Sequence, residues 1–151
     1  MKNELEKIIQ SGNNLIGGLI HNIDKEVLAV HNAQLKALDL TFIQSLAILQ
    51  IYYHNDQDVF QKDLEKWLGL TNPSVTSLIK TMMGKDLIYR IQSKSDGRYF
   101  ALHLTPKSLS LIDQIVEIIY QSDKQLYNCL NEEETELLNS LLSKVYRHIT
   151  K

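Results

Sequence analysis

The sequence predicts a mainly α-helical protein with a small β wing, in which a winged helix-turn-helix lobe is flanked by N- and C-terminal dimerisation helices. The first observation is a pair of short helical patterns that meet at Gly69. The second is a pair of strand-like runs that flank the polar segment Ser93–Arg98. The third is a long helical pattern with an apolar stripe at each end of the chain. In a winged helix-turn-helix, the second helix of the motif normally enters the DNA major groove.

Length and composition indicate a single globular domain covering residues 1–151. Hydrophobic residues make up 44% of the chain and charged residues 23%, which is ordinary for a domain with a normal core. No apolar run approaches the roughly 18–20 residues of a membrane span, and the first residues lack the apolar centre of a signal peptide. The single cysteine, Cys129, excludes an internal disulfide framework and is typical of a reducing compartment. We therefore expect a cytoplasmic protein with no membrane partner.

The formal charge is distributed unevenly along the chain. Gln61–Lys107 holds eight basic and four acidic side chains, a local charge of +4, whereas the remainder holds eight basic and fourteen acidic ones, a charge of −6. Phosphate attraction depends on the face presented to DNA and not on the total charge. The total of −2 is therefore compatible with DNA binding. Chance clustering of charges on a solvated surface is the alternative.

Two helices are predicted before the motif. In Asn3–Lys36 apolar residues recur in steps of three and four, which predicts a long amphipathic helix with a break near Ser11–Asn14. Such a helix pairs with a partner chain or packs against its own lobe. Thr41 is a suitable N-cap for a second helix that ends at about His54. Val59-Phe60, a β-branched and an aromatic residue, predicts a short strand after it.

The helix-turn-helix pattern begins with Gln61–Leu68, and Gly69 can take the left-handed conformation that ends this helix. Thr71 or Asn72 can cap the second helix, whose first turn tolerates Pro73. Apolar residues at helical spacing predict its buried side: Val75, Leu78, Ile79 and Met82. Hydroxyl residues and one lysine remain on its outer face: Ser74, Thr76, Ser77, Lys80 and Thr81. Such side chains reach phosphates and base edges, although a merely solvated face is the alternative.

Two β-rich runs, Leu87–Ile91 and Tyr99–Leu104, predict a strand hairpin after the motif. Its tip carries Lys94 and Arg98, which suits insertion into a minor groove or contact with phosphates. Asp96 lies two residues before Arg98, so its carboxylate can hold the tip together and aim the guanidinium.

Two further helices complete the chain. Thr105-Pro106 predicts the start of a helix of roughly 20–25 residues. Asn131 precedes three glutamates, which stabilise the N-terminus of the last helix through its dipole. The longer helix is apolar on more than one side, which indicates contacts with both the lobe and a partner chain. We therefore assign residues 1–36 and 106–151 to dimerisation and residues 40–105 to the winged helix-turn-helix lobe.

With these elements in order, the chain resembles the MarR family of bacterial transcription regulators over essentially its whole length. The family opens its second helix with a leucine–threonine pair, found here as Leu40-Thr41. Its first motif helix, a glutamine or lysine followed by "eLA", corresponds to Gln61–Glu65. The remaining motifs follow with the correct spacing: Ser74–Ile79 (ST-V-T-x-L-I/L), Asp86–Arg90 (GLV-x-R), Asp96–Arg98 (Asp-x-Arg) and Leu104-Thr105 (LT).

Three positions depart from the family pattern. The usual glycine after the recognition helix is Asp86, which tolerates the required turn less well. The usual second arginine of the wing is Gly97, and Ser108 stands near the place of the glycine after LT. With one guanidinium fewer, we expect modest DNA affinity or an unusual operator.

The resemblance implies a transcription regulator, in the simplest case a repressor, that acts as an obligate homodimer. The two recognition helices would bind half-sites of a pseudo-palindrome in double-stranded DNA. Lys62 and Asn72 are assigned to the DNA backbone, the outer face of the recognition helix to the groove, and the wing residues to flanking contacts. The complete set of predicted DNA-binding residues is Lys62, Asn72, Ser74, Thr76, Ser77, Lys80, Thr81, Lys94, Asp96 and Arg98.

Relatives often sense small, frequently aromatic effectors in a crevice between the dimer helices and the DNA-binding lobe. The residues predicted to line such a crevice here are His21, His31, Tyr52 and Tyr53. Their alternative role is that of ordinary half-buried helix residues. Cys129 lies late in the fifth helix, and not near the amino terminus where the peroxide sensors of the family keep their cysteine, which indicates an inert or structural thiol.

Other classes of function find less support in the residues. The five histidines are scattered with no helix-ligand spacing, so neither a metal nor another cofactor is predicted. No nucleophile–base motif, phosphate loop or paired carboxylates indicate an enzyme. The competing hypothesis is a winged-helix dimer that serves as a protein-interaction module with weak or lost DNA binding. The net charge of −2, Asp86 and Gly97 favour that alternative.

Overall fold

The computed structural model describes residues 6, 15–93 and 97–150. In this part of the chain the backbone forms six α-helices and one two-stranded antiparallel sheet, which confirms the predicted fold class. The helices are α1 (Ile16–Leu35), α2 (Phe42–Tyr53), α3 (Gln61–Leu68), α4 (Asn72–Gly84), α5 (Pro106–Leu126) and α6 (Glu132–Ile149). The strands are β1 (Ile88–Gln92) and β2 (Phe100–Leu104).

The predicted N-terminal helix is observed as α1 from Ile16 onward, and the break predicted near Ser11–Asn14 lies outside the described residues. α1 packs against α5. At its C-terminal end, the side-chain Oδ1 of Asn32 accepts a hydrogen bond from the N–H of Phe42 at 2.7 Å. The first helix therefore satisfies a backbone donor at the start of the lobe, a position where a helix has no partner of its own.

Side-chain caps confirm three predicted helix starts. Thr41 Oγ1 accepts from the N–H of Gln44 at 3.3 Å, and Gln44 Oε1 accepts from the N–H of Thr41 at 3.0 Å, which is a capping box. Thr105 Oγ1 accepts from the N–H of Ser108 at 3.3 Å ahead of α5. Asn131 forms a second capping box with the residue three positions later.

The helix-turn-helix consists of α3 and α4. Gly69 ends α3 with a φ of 64°, the left-handed conformation predicted for it. Thr71 stands at the N-cap position of α4, but its hydroxyl lies 2.9 Å from Ser74 Oγ and makes no capping bond. The predicted inner side of α4 is confirmed, because all four of its residues are buried: Val75, Leu78, Ile79 and Met82.

The wing is the hairpin of β1 and β2, in which Ile88 pairs with Leu104 and Gln92 pairs with Phe100. The strand predicted at Val59-Phe60 is not formed. Instead, the Val59 carbonyl accepts a single hydrogen bond from the N–H of Leu102 at 2.7 Å. One such bond ties the loop before α3 to the sheet without extending the ladder, because a strand needs a series of paired backbone groups.

The core joins the motif to the sheet and to α5. Leu64 from α3, Ile79 from α4, Leu102 from β2 and Ile115 from α5 are all buried in one apolar cluster. In contrast, no residue of α6 is buried, although that helix carries a clear apolar stripe. No single described helix is long and apolar enough to cross a membrane; α1 with its following turn and α2 pass that test only as a pair bent by 73°.

Asp86 follows α4 with a φ of 57°, so an L-residue occupies the left-handed region where glycine is favoured. We expect Asp86→Gly to raise the free energy of unfolding by up to about 1 kcal/mol, because glycine has no steric penalty there and the acid opposes the dipole at a helix C-terminus. Urea denaturation at one fixed protein concentration measures the difference. Asp86→Ala removes the charge and keeps a Cβ, so it separates the two causes. A lower stability for Asp86→Gly than for Asp86→Ala contradicts the steric explanation.

Candidate nucleic-acid interface

The outer face of α4 carries the side chains predicted to contact DNA. All five residues assigned to the groove are exposed: Ser74, Thr76, Ser77, Lys80 and Thr81. Lys62 on α3 and Asn72 in the first turn of α4 are exposed as well. No described residue pairs with the ammonium groups of Lys62 or Lys80. This surface therefore combines free cationic groups with small hydroxyl side chains, a composition suited to phosphates and base edges.

The hydroxyl groups on this face differ in their hydrogen bonding. Thr81 Oγ1 donates to the Ser77 carbonyl at 3.0 Å, one turn earlier in the same helix, and this bond uses its only proton. Ser74 shares a hydrogen bond with Thr71 at 2.9 Å. Thr81 can therefore only accept a further hydrogen bond, which limits its partners on DNA to the N–H groups of bases.

A hydrogen-bond network that the sequence reasoning missed links the two motif helices. On α3, Gln61 Nε2 donates to Glu65 Oε1 at 3.2 Å and, across the helix pair, to Thr76 Oγ1 at 2.8 Å. Asn72 Nδ2 donates to the same Glu65 oxygen at 2.6 Å. The available signal was the four-residue spacing of Gln61 and Glu65, which places them on one helix face. Partners on α4 were not visible, because they depend on how the helices pack.

The base of the wing is anchored to the loop before α3. Ser93 Oγ donates to Asp58 Oδ2 at 2.6 Å, and Gln92 Nε2 donates to the Gly97 carbonyl at 2.6 Å. Arg98 is exposed, with its guanidinium carbon 5.9 Å from the centre of the Tyr99 ring. Lys94 and Asp96 lie outside the described residues, so their roles, including the pairing of Asp96 with Arg98, stay predictions.

Two of the basic residues in the positive segment serve the fold. Lys85 Nζ, at the end of α4, lies 3.0 Å from Asp39 Oδ1 and also donates to the Asp39 carbonyl at 2.6 Å. Lys107 Nζ donates to the Lys85 carbonyl at 2.8 Å. These ammonium groups lie at the C-terminal end of α4, where a positive charge is favoured by the helix dipole. They anchor the end of α4 to Asp39 and to the start of α5, and their positive charges add to the local electrostatic potential.

The four residues predicted to line an effector crevice have different surroundings. His21 is exposed on α1, whereas His31 is buried with its ring centre 4.3 Å from that of Phe42. Tyr53 is 80% exposed, and its ring contacts His54. Tyr52 lines a cavity of about 200 Å³ whose wall includes Tyr89 and His103. Binding of an effector by this set stays a prediction, and the cavity lined by Tyr52 is a candidate place for it.

Cys129 is exposed in the turn between α5 and α6. The prediction that it lies late in the fifth helix was wrong, because α5 ends at Leu126 and the chain turns before α6 begins at Glu132. Within residues 6, 15–93 and 97–150, no group of three histidine, cysteine, aspartate or glutamate side chains has the arrangement of a metal site.

Known proteins resemble this chain over the same helices and strands. A model of the MarR family matches residues 38–98, which contain the helix-turn-helix and the first strand of the wing. The regulator SarZ from Staphylococcus aureus (strain USA300) is 24% identical over 130 residues, 86% of each chain. Among solved structures, MepR from S. aureus in complex with DNA matches with a TM-score of 0.79 and 26% identity over 89% of this chain and 96% of MepR. MarR from Oenococcus oeni PSU-1 matches with a TM-score of 0.72 and 27% identity over 88% of this chain and 99% of that one.

Proposed function

We propose that the chain is a transcription regulator of the MarR family that acts as a homodimer on a pseudo-palindromic operator, in the simplest case as a repressor. The observation that carries the proposal is the exposed outer face of α4, with Lys80 and its hydroxyl residues, beside a wing that presents Arg98. MepR, which shares this fold at 26% identity, has been solved as a DNA complex.

The charge distribution supports contact with phosphates. The described part of residues 61–107 holds seven basic and three acidic side chains, so it keeps the local charge of +4. Each phosphate that such a surface neutralises releases a condensed counterion, which makes affinity depend on salt. A positive recognition lobe within a chain of net charge −2 directs DNA to one side of the molecule.

The exposed apolar surface supports the homodimer. No residue of α6 is buried in the protomer, yet its stripe of large apolar residues is Leu137, Leu141, Leu142, Val145, Tyr146 and Ile149. α1 exposes a second set, Ile16, Leu19, Ile20, Ile23 and Leu28. Helices gain most of their stability from packing an apolar face, so these faces need a covering surface. A second copy provides the same faces through a two-fold axis.

A two-fold dimer determines the form of the operator. Two copies of α4 related by this axis meet half-sites in opposite orientation, separated by about 34–36 Å, which is one turn of B-DNA. Bending of α1, α5 or α6 relative to the lobes changes that spacing. We propose that a small aromatic effector releases DNA through such a change, and the cavity beside Tyr52 is the first place to test for it.

The proposal is tested by fluorescence anisotropy with the DNA upstream of the protein's own gene and a scrambled duplex of the same composition, each at two salt concentrations. We expect selective binding to the upstream DNA, with log affinity falling against log salt by about 0.9 for each phosphate contacted. Equal and weak binding to both duplexes contradicts an operator in this DNA. The absence of any salt dependence favours the alternative of a protein-interaction module, which the missing wing arginine at Gly97 also favours.

Arg98→Ala tests the wing directly. We expect the affinity for upstream and scrambled DNA to fall by a similar factor, about three- to tenfold, and the salt slope to decrease by about 1, because one cationic contact is lost without a base contact. Arg98→Lys is the matched control, since it keeps the charge and removes the planar guanidinium. Wild-type affinity for Arg98→Ala at matched salt would show that the wing makes no contact with DNA.

A further inference from the structure

Four polar side chains form a bridge between α3 and α4 on the surface assigned to DNA. Gln61 and Glu65 lie one turn apart on α3, and Asn72 and Thr76 lie one turn apart on α4. Glu65 Oε1 accepts from Gln61 at 3.2 Å and from Asn72 at 2.6 Å, while Gln61 also reaches Thr76 Oγ1 at 2.8 Å. Asn72 and Thr76 are exposed and belong to the predicted DNA-binding set, whereas Glu65 is half-buried behind them.

The carboxylate determines which way the two amides face. An ionised carboxylate can only accept hydrogen bonds, so both amides must turn their nitrogen toward Glu65. The carbonyl Oδ1 of Asn72 is thereby available as an acceptor on the exposed side, together with one remaining N–H. The sequence assigned Asn72 to the DNA backbone, but an outward carbonyl oxygen does not suit a phosphate, which can only accept hydrogen bonds. Asparagine in this arrangement matches the adjacent donor and acceptor of an adenine edge, and its oxygen alone matches the amino group of cytosine.

The same carboxylate acts on Thr76 through Gln61. Because the Gln61 nitrogen donates to Thr76 Oγ1, the hydroxyl proton of Thr76 must point away from Gln61. Thr76 therefore presents itself to DNA as a hydrogen-bond donor. The acceptors that it can reach in a major groove are N7 and O6 of guanine, N7 of adenine and O4 of thymine. Without Gln61 in place, the hydroxyl rotates freely and accepts a base amino group equally well.

The charge of Glu65 opposes tight binding to DNA. It lies on the same helix as Lys62 and Lys66 and near the N-terminus of α4, where positive charge and the helix dipole both attract phosphate. A neutral residue at this position would raise affinity for any duplex. The lower affinity caused by Glu65 is offset by a gain in selectivity. Glu65 orders Asn72 and Thr76, and pre-ordered polar groups discriminate between bases more sharply than mobile ones.

We propose that Glu65 is a positioning residue for base recognition: it fixes the amide of Asn72 and, through Gln61, the hydroxyl of Thr76, and it weakens non-specific binding. The proposal rests on the DNA-binding function proposed above. Glu65 acts through other side chains and needs no contact with DNA of its own.

The test compares wild type, Glu65→Met and Glu65→Gln in two measurements: enrichment from a random duplex library, and affinity for the selected duplex against a scrambled one. Methionine keeps the length and helix preference of glutamate but accepts no strong hydrogen bond. Glutamine removes the charge and keeps one acceptor oxygen. We expect both variants to bind the scrambled duplex about threefold more tightly, and only Glu65→Met to lose about tenfold in selectivity, with relaxed preference at the bases facing Asn72 and Thr76.

Gln61→Met is a second, independent variant that leaves Glu65 and Asn72 in contact and frees only Thr76. It should relax preference at a single base position, and it covers the case in which Glu65→Met unfolds. Thermal unfolding of each variant separates lost selectivity from lost fold. Wild-type selectivity in both Glu65→Met and Gln61→Met overturns the inference while leaving the regulator intact. Failure of the wild type to enrich any sequence overturns the proposed function and this inference together. That failure appears in the enrichment by the wild type, whereas failure of the inference alone appears in the selectivity of the variants.

Discussion

Replacement of Leu141 by aspartate is expected to convert the proposed homodimer into protomers and to lower the affinity for upstream DNA by about 100-fold or more. Leu141 lies in the apolar stripe of α6 and is 51% exposed in the protomer. Burying an unpaired carboxylate in a dimer interface costs several kcal/mol, which exceeds what one interface position contributes. Separate protomers then bind half-sites singly and lose the gain of bivalent attachment. Light scattering gives the mass, and anisotropy gives the affinity.

Ser140→Asp is the matched control for this experiment. It introduces the same charge one residue earlier, and the helical period places it away from the stripe. It should leave the mass and the affinity close to those of wild type. A Leu141→Asp protein that remains dimeric and binds with wild-type affinity would exclude α6 from the interface. The covering of the α6 stripe would then have to come from another partner.

Ile79→Ala is expected to lower the free energy of unfolding by about 2–5 kcal/mol. Ile79 is fully buried on the inner side of α4, in the same cluster as Leu64 and Ile115. Truncation removes three methyl or methylene carbons and leaves a cavity that the short α3 and α4 helices close only partly. Urea unfolding can be followed by the fluorescence of Trp67, the single tryptophan, whose ring stacks on His54 at 4.1 Å between α2 and α3.

Met83→Ala, four residues later on the same helix, is the control for Ile79→Ala. Met83 is 42% exposed, so its truncation should lower the stability by less than about 1 kcal/mol. Both variants must be measured at one protein concentration, because the stability of a dimer depends on it. Equal losses for the two variants would contradict the position of Ile79 at the centre of the core.

The predicted starts, ends and buried sides of the helices were confirmed where the residues that determine them lie within about four positions of one another. The apolar spacing of Val75, Leu78, Ile79 and Met82 sets the buried side of α4. Thr41 and Asn131 begin helices through bonds to residues three positions later, and Gly69 ends one through its own backbone freedom. The strand predicted at Val59-Phe60 was wrong, because β propensity forms a strand only where a partner offers a full ladder.

The hydrogen bonding in the candidate site depends on pairs of residues that are far apart in the sequence. The residue types on the outer face of α4 follow from helical periodicity alone, and so does their exposure. Helical periodicity does not show which of those side chains still has a proton to donate. The Gln61–Thr76 bond spans 15 residues of sequence, and the Lys85–Asp39 pair spans 46.

The sequence by itself therefore predicted the resemblance to the MarR family, the order of the helices and the exposed face of α4, since each depends on motifs and periodicities local to the chain. Only the tertiary structure decided that Lys85 pairs with Asp39, that Glu65 accepts hydrogen bonds from both Gln61 and Asn72, and that Tyr52 lines one cavity with Tyr89 and His103. The physical reason is that a hydrogen bond or a cavity wall requires atoms within a few ångströms. For residues far apart in sequence, that distance is set by the packing of whole helices and not by local pattern.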